Sequence, residues 1–357
     1  MKIQLTKTKT IEIGGRGSTA PSDVVGIELT ADPQGCPAVR LQRRRNGWRL
    51  VAAGFVPPPP GKLPTSWDEL DTKATGGWTL PTAFQAPTAA VALDAPTAVA
   101  RQTTREGIRG ELGAAKLMIE NDKPFSHEGN RRVAVELSDG EFVLEAGLPE
   151  YQVLWLGRLF PEGHRPTVAS VQVSTIARLA ALATQPELEA AEGSAISVLV
   201  TADAVYFTGW SGGRLALLRQ CPGTFGWRSV REAVKTALTL DESLVDEVLD
   251  GNLVDPCFAM EPFLRPILRE LALSVDYMTQ RLKVEPGWVY LTGLPSGAGY
   301  WNQIASRSSR LSFVVPHAFE GLEIVSKKGS VPELSSSQSQ AFLGALGAAR
   351  ALMEDPS

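Results

Sequence analysis

The sequence predicts an α/β protein of two lobes built on one plan, with a small α+β unit inserted in the first. Three observations carry that expectation. An apolar run, Val24 to Leu29, opens a ribbon of three short strands that closes with Trp48 to Ala53. A related ribbon, AISVLVTADAVYFTGWSGGRLALLRQ, returns later, where Thr30-Ala31-Asp32 recurs as Thr201-Ala202-Asp203 at an offset of 171. Each triplet ends an apolar strand and precedes a second strand, a turn and a third strand, so the order of elements repeats along with the tripeptide.

Composition bounds what such a protein can do. The chain has 357 residues, 43% hydrophobic and 21% charged, enough for a real core and two or three domains. A net charge of -4, from 35 basic and 39 acidic residues, gives no electrostatic case for nucleic acid. No apolar run approaches the ~20 residues that span a bilayer. No secretory signal opens the chain, so the cytosol is the expected compartment. Cys36, Cys221 and Cys257 are far apart and odd in number, hence expected as free thiols. His127, His164 and His317 stand alone without ligand spacing, so no metal site is expected. No serine sits in a G-x-S-x-G elbow that would carry nucleophilic hydrolysis.

In chain order, residues 1–22 form an N-terminal extension with an alternating piece and the cluster GGRGST. That cluster lacks the Lys-Ser/Thr ending of a phosphate loop and reads as a turn. Val24 to Leu29 suits a buried strand, Pro37 to Gln42 alternates, and Asn46-Gly47 favours a tight hairpin because both turn positions want positive φ. Pro57 to Pro60 excludes helix and central strand, and the stretch to residue 87 is expected to be irregular with one short helix. Residues 88–165 are assigned to the inserted unit: a strand or strand pair over Ala89 to Gln102 and a helix capped by Thr104 with Ile108, Leu112, Ala115 and Ile119 on one face. A hairpin about Asp139-Gly140 and a strand over Tyr151 to Leu159 complete the unit. Residues 23–87 and 166–194 make the first lobe, with a strand at Val168 to Val173 and a helix capped by Ser174.

Residues 195–327 make the second lobe. After its ribbon come helices at Ser229 to Leu238 and Asp241 to Leu249, then a long one from Glu261 to Leu282. Leu264, Ile267, Leu271, Val275, Met278 and Leu282 line one stripe of that helix, and Pro262 suits its first turn. Strands at Trp288 to Thr292 and Leu311 to Val315 follow. Residues 328–357 hold a polar linker, Ser335 to Ser339, and a closing helix from Gln340 to Met353.

Several short motifs share one family resemblance. GIELTADPQGCPAVRL resembles the opening "GIDIGSSSVKAV" of the type IV pilus assembly protein PilM family, and the polyproline step resembles its "PLPPG". YQVLWLG resembles "DYQVL", and MEPFLRPILRELALSVDYM resembles "LEPFLEELAREIRRSLDFY". TGLPSGAG stands where that family has "TGGGA", and AFLGALGAARAL is similar to its "ALGLALR". The resemblance covers Val24 to the C-terminus and implies a two-lobed actin-like ATPase (ribonuclease H-like) fold, with the cell-division protein FtsA as a more distant relative.

A protein of that fold is expected to hold ATP between two hairpin tips. Close approach to phosphate needs backbone N–H groups with no Cβ in the way, hence glycine, and an acidic residue beside each glycine holds Mg²⁺ or its waters. Here the first tip reads Glu28-Leu29-Thr30 where the family has Asp-Ile-Gly, so the acid stays and the glycine is lost. Asp32 lies just beyond. At the second tip the match places Thr201 at the acid and Asp203 at the glycine; a shift of one or two residues brings no Asp-x-Gly into either register. A carboxylate there repels phosphate, by about 1 kcal/mol in water and ~4 kcal/mol at a protein surface for unit charges 4 Å apart. The family's acidic "DVE" becomes Gln172-Val173-Ser174, and of a glycine pair only Gly293 remains, followed by Leu294. Glu28, Thr30, Asp32, Thr201, Asp203 and Gly293 are therefore expected as a vestigial nucleotide site, with no catalytic residue, metal or cofactor; a working site for ATP and Mg is the alternative. The same residues also suit ordinary strand-end and turn chemistry.

The resemblance further implies a cytoplasmic scaffold, peripheral to the inner membrane through a partner. It would bind the cytoplasmic tail of a PilN-like inner-membrane protein together with other pilus assembly proteins, and self-association stays open. A tail adding to a strand edge of the inserted unit would meet Arg101, Tyr151 and Val153, of which Val153 also suits the core. The alternatives are an active ATPase with nucleotide-driven lobe movement, an FtsA-like membrane filament, and the cytoplasmic domain of a secretion-system L-like protein. Gln340 to Met353 carries only Arg350 as a cation, unlike a membrane-binding helix, and no transmembrane segment follows. Arg43-Arg44-Arg45 beside Asn46-Gly47 reads as a solvated hairpin tip, with contact to acidic lipid or an acidic partner as the other reading.

Overall fold

The computed structural model describes residues 20–30, 35–45, 47–72, 77–95, 97–104, 130–136, 142–161, 166–185, 194–212, 214–221, 226–249, 257–294, 311–325 and 331–354. The chain divides into two compact units. One contains residues 183–320 and 334–341; the other contains the described residues from 20 to 182, together with 321–333 and those after 341.

In the unit that opens the chain, the strands are β1 (Asp23–Leu29), β2 (Cys36–Arg44), β3 (Gly47–Val56), β4 (Thr88–Leu93) and β8 (Thr167–Val173), with a two-residue β14 (Glu323–Ile324) at one edge. They form one sheet in the order β14-β3-β2-β1-β4-β8. β1, β2 and β3 are antiparallel neighbours, whereas β4 runs parallel to β1 and β8 parallel to β4. In the other unit β9 (Ser194–Val200), β10 (Val205–Ser211), β11 (Arg214–Gln220), β12 (Trp288–Thr292) and β13 (Ser312–Val314) give the order β11-β10-β9-β12-β13. The pattern is the same: an antiparallel ribbon of three, then two strands parallel to the first. The repeated tripeptide thus marks a repeated topology. Val24, Val25 and Ile27 have no exposure, as expected of a strand covered on both faces.

Helix α1 (Trp67–Thr72) and a single 3-10 turn at Thr82–Phe84 interrupt the irregular stretch after the prolines. The inserted sheet is three-stranded, β5 (Val99–Thr104), β6 (Asn130–Glu136) and β7 (Phe142–Pro149), in the order β5-β7-β6. The strand at 88–93 is not part of it. β4 pairs along its length with β1 and β8, so the insertion begins after Leu93 rather than at residue 88. The helix read over Ile108 to Ile119 and the turn at Asp139-Gly140 lie outside the described residues, as does the GGRGST cluster.

Three local expectations are corrected. Tyr151 to Leu159 is no strand: helix α2 (Glu150–Gly157) follows Pro149 and buries Tyr151, Gln152, Val153, Trp155 and Leu156. A short helix apolar on most of its circumference carries no helical period, and it reads like a buried strand. Ser174 opens helix α3 (Ser174–Leu182), and its hydroxyl donates to Glu28. In the second unit α4 (Trp227–Leu238) and α5 (Glu242–Leu249) precede α6, which starts at Cys257 and runs to Gln280, so Pro262 and Pro266 lie inside it rather than in its first turn. The serine-rich linker is helix α7 (Ser336–Ser339), held by a capping box in which Ser335 accepts from the Gln338 N–H and the Gln338 side chain accepts from the Ser335 N–H.

The closing helix α8 (Leu343–Glu354) packs in the first unit, not in an appendage. It lies against β1 and α3 at backbone distance. A Cβ on Gly26 would strike the Ala345 carbonyl, and one on Gly347 would strike the Ala177 carbonyl. Leu343, Ala345, Leu346, Ala348, Ala349 and Met353 have no exposure. Each such larger side chain contributes on the order of 1.5–3 kcal/mol by burial.

Candidate functional site

The end of β1 is built around Glu28, whose side chain has no exposure. Its Oε1 accepts a hydrogen bond from the Arg178 Nε–H at 2.8 Å and another from the Ser174 hydroxyl. Ser174 and Arg178 stand four residues apart on α3, which places both donors on one helix face toward the strand. Helix α8 completes the pocket, since a Cβ on Gly344 would overlap the Glu28 carboxyl. Burial alone would lower the Arg178 pKa; the carboxylates of Glu28 and Asp94 outweigh it and raise it, so the guanidinium stays charged. Oε2 of Glu28 has no hydrogen-bond partner among the described residues.

Gln172 and Ser174 take the places where the resemblance expected acids. Gln172 Nε2 donates to Ser170 Oγ at 3.2 Å and to the Ala348 carbonyl at 3.5 Å, again tying β8 to α8. A hard divalent cation needs several oxygens free to turn toward it. The Glu28 carboxylate faces inward to the Arg178 guanidinium, which also feels Asp94, and among the described residues no group of three His, Cys, Asp or Glu side chains could hold a metal. These residues do not fit Mg²⁺. Thr30, at the end of this strand, is half-buried. Asp32 lies outside the described residues.

In the other unit the β9–β10 tip is closed on itself. The Thr201 hydroxyl donates to the Ala204 carbonyl at 3.0 Å and accepts from the Ala204 N–H at 3.1 Å. The Thr201 N–H donates to the same carbonyl at 2.9 Å. The N-terminus of α4 is docked on the tip: the N–H groups of Trp227 and Arg228 donate to the carbonyls of Thr201 and Ala202 at 3.0 and 3.2 Å. Free N–H groups at a helix start are what ordinarily receives an anion; two of these are already spent. Gly226 permits the approach, because a Cβ there would strike the Thr201 and Ala202 carbonyls. Asp203 is exposed and pairs with Arg228 at 2.7 Å. Gly293 has φ 79°, a left-handed conformation that favours glycine. Its N–H donates to Gln340 Oε1 at 3.3 Å, and the fully buried Gln340 spends its amide N–H on the Pro316 carbonyl.

Of the described positions expected to meet a nucleotide, Glu28, Thr201, Asp203 and Gly293 are engaged by the protein itself. Sequence reading missed the groups that engage them: Ser174 as donor, Arg178, Gly226, Gln340 and Gly344. One signal was available, a lone arginine in the otherwise apolar STIARLAAL, which needs a buried counter-charge.

The three residues expected to meet a partner separate. Arg101 lies on β5, an edge of the inserted sheet, and pairs with the buried Glu145 on β7 at 2.9 Å. Tyr151 is buried and meets Trp67 edge-on, with ring centroids 5.9 Å apart; Trp67 is 44% exposed. Burial, and the Glu69 carboxylate after it, push the Tyr151 phenol above its ordinary range. Val153 has no exposure, so it belongs to the core and offers no contact surface. Gln152 fastens this helix, accepting from the Thr97 hydroxyl at 2.8 Å and donating to the Pro64 carbonyl at 3.1 Å.

No protein-family model matches the sequence, and no curated protein matches it. Among solved structures, one chain of a PilM-PilN type IV pilus biogenesis complex superposes with a TM-score of 0.65 at 18% identity, covering 94% of this chain and 100% of that one. A Bacteroides thetaiotaomicron protein described as having an actin-like ATPase fold and unknown function gives a TM-score of 0.42 at 11% identity, covering 91% and 96%. The cytoplasmic domain of EpsL, an inner membrane component of the Vibrio cholerae type II secretion system, gives 0.37 at 11%, covering 91% and 95%. The first likeness, with the paired topology of the two sheets, shows the fold: a two-lobed α/β actin-like ATPase fold with an inserted α+β unit.

Proposed function

We propose that this chain is a non-catalytic scaffold of a pilus- or secretion-type machine, binding the cytoplasmic tail of a PilN-like membrane protein and binding ATP weakly or not at all. One observation carries the reading: the acid at the end of β1 is buried in an ion pair with Arg178 and is not offered to a metal–nucleotide. The fold shared with the PilM-PilN structure supports the pilus setting. The partner surface is the edge of β5 with the exposed face of Trp67, to which an extended tail would add as a strand. Among the described residues no helix is long and apolar enough to cross a membrane.

The test is titration of the purified chain with a fluorescent peptide from the cytoplasmic tail of a PilN-like protein. Saturable binding that Trp67→Ala weakens supports the proposal. Absence of binding at up to ~100 μM peptide, a free energy of only about 5.5 kcal/mol, removes the tail-binding part of it.

A further inference from the structure

The β2–β3 hairpin treats its arginines in two ways. Along the ribbon each is neutralised: Arg40 pairs with Asp23 at 2.7 Å, and Arg49 pairs with Glu323 at 3.3 Å. At the tip the rule stops. Arg43, Arg44 and Arg45 are all exposed, and among the described residues none has a carboxylate partner. Arg44 reaches the Gln42 amide oxygen at 3.3 Å, and Arg43 the Met353 carbonyl at 3.4 Å, at the end of α8. Three adjacent cations with no carboxylate partner among the described residues, in a chain of net charge -4, are a local field opposed to the whole molecule.

Their arrangement indicates the partner. Arg43 stands opposite Trp48 in the register and lies over its ring, 5.4 Å from the centroid, while Arg44 stands opposite Gly47. Successive strand residues face opposite sides, so Arg43 and Arg44 lean apart, and Arg45 follows them at the turn. A fan of guanidiniums without an enclosing groove fits a plane of phosphates better than one bidentate carboxylate. The half-buried indole at its base is the side chain favoured at a membrane–water interface.

We propose that the Arg43–Arg45 hairpin tip, with Trp48 at its base, is a docking point for an anionic phospholipid surface. It contributes about fivefold per arginine, roughly a hundredfold in all, to membrane partitioning. Contact of this size orients a protein at a membrane and does not anchor it alone. It stands independently of the tail-binding reading.

The experiment is co-sedimentation of the purified full chain with vesicles of equimolar phosphatidylglycerol and phosphatidylcholine, against pure phosphatidylcholine, at low salt. The natural chain pellets with the anionic vesicles only and is released by salt. The exposed triple variant Arg43→Ser, Arg44→Ser, Arg45→Ser loses roughly a hundredfold, whereas the triple lysine variant keeps most of the binding. Equal pelleting on both vesicle types, or unchanged binding by the serine variant, overturns the proposal. So does arginine-dependent binding to polyglutamate with none to anionic vesicles, which would assign the tip to an acidic protein.

Discussion

At the scale of single residues, Glu28 and Arg178 decide what the end of β1 can do. Arg178 pairs with the buried Glu28 and feels the half-buried Asp94, so it cannot be removed without leaving a buried carboxylate uncompensated. Arg178→Met is expected to cost about 3–5 kcal/mol in denaturant unfolding, and the pair Arg178→Met with Glu28→Gln less than the sum of the two single changes. Strict additivity in that cycle would mean that the two side chains do not interact. The sequence made half of this legible: the retained acid and the lost glycine stand in Glu28-Leu29-Thr30. The counter-ion 150 positions away was not, because no local pattern links β1 to α3. Tyr151 offers a check by pH. Its phenol is raised above the ordinary 10.0, chiefly by burial and then by Glu69. The folded state thus favours the protonated phenol, and stability is lost as pH rises from the unfolded value through the folded one. Absorbance titration should place the Tyr151 midpoint above that of free tyrosine, and Glu69→Gln should move it down.

At the scale of elements, α8 shows how glycine sets a distance. Gly344 lets the helix seat directly on the Glu28 carboxyl. Gly344→Ala is expected to lose about 1–3 kcal/mol as an overpacked contact, and the loss should shrink when Glu28 is also alanine. An unchanged unfolding midpoint would refute the close seat. Long periodic or alternating elements were legible in the sequence: both ribbons, the stripe of α6, and the strand before Ser174. Short ones were not. Tyr151 to Gly157 has too few turns to show a period, and only burial against α1 and the inserted sheet tells a helix from a strand there. The contact between α2 and α1 separates two roles on neighbouring helices. Val153→Ala should lower stability by about 2 kcal/mol through lost burial and a cavity without changing tail affinity. Trp67→Ala should leave stability nearly intact and weaken the tail about tenfold. The same two variants read by peptide titration and by chemical denaturation would expose the reverse assignment.

At the scale of the whole molecule, one chain carries the same five-strand topology twice, and this was the most legible fact in its sequence. Matching order of elements survives when individual residues do not, since the sheet order depends on strand direction and connection and not on side-chain identity. The boundaries were less legible. A strand such as β4 reads alike in either neighbouring unit, and only its pairing with β1 and β8 assigns it. What the fold retains and what it has given up then fall in different places. The framework is intact in both units, while within each unit the positions expected to touch a nucleotide are bonded internally: Glu28 to Arg178, Thr201 to Ala204, Gly293 to Gln340. The most direct measurement is titration calorimetry of the purified chain with ATP and excess Mg²⁺. The account predicts no saturable heat corresponding to a Kd below ~10 μM, about 7 kcal/mol. A saturable, one-to-one isotherm tighter than that, abolished by chelating the metal, would contradict it.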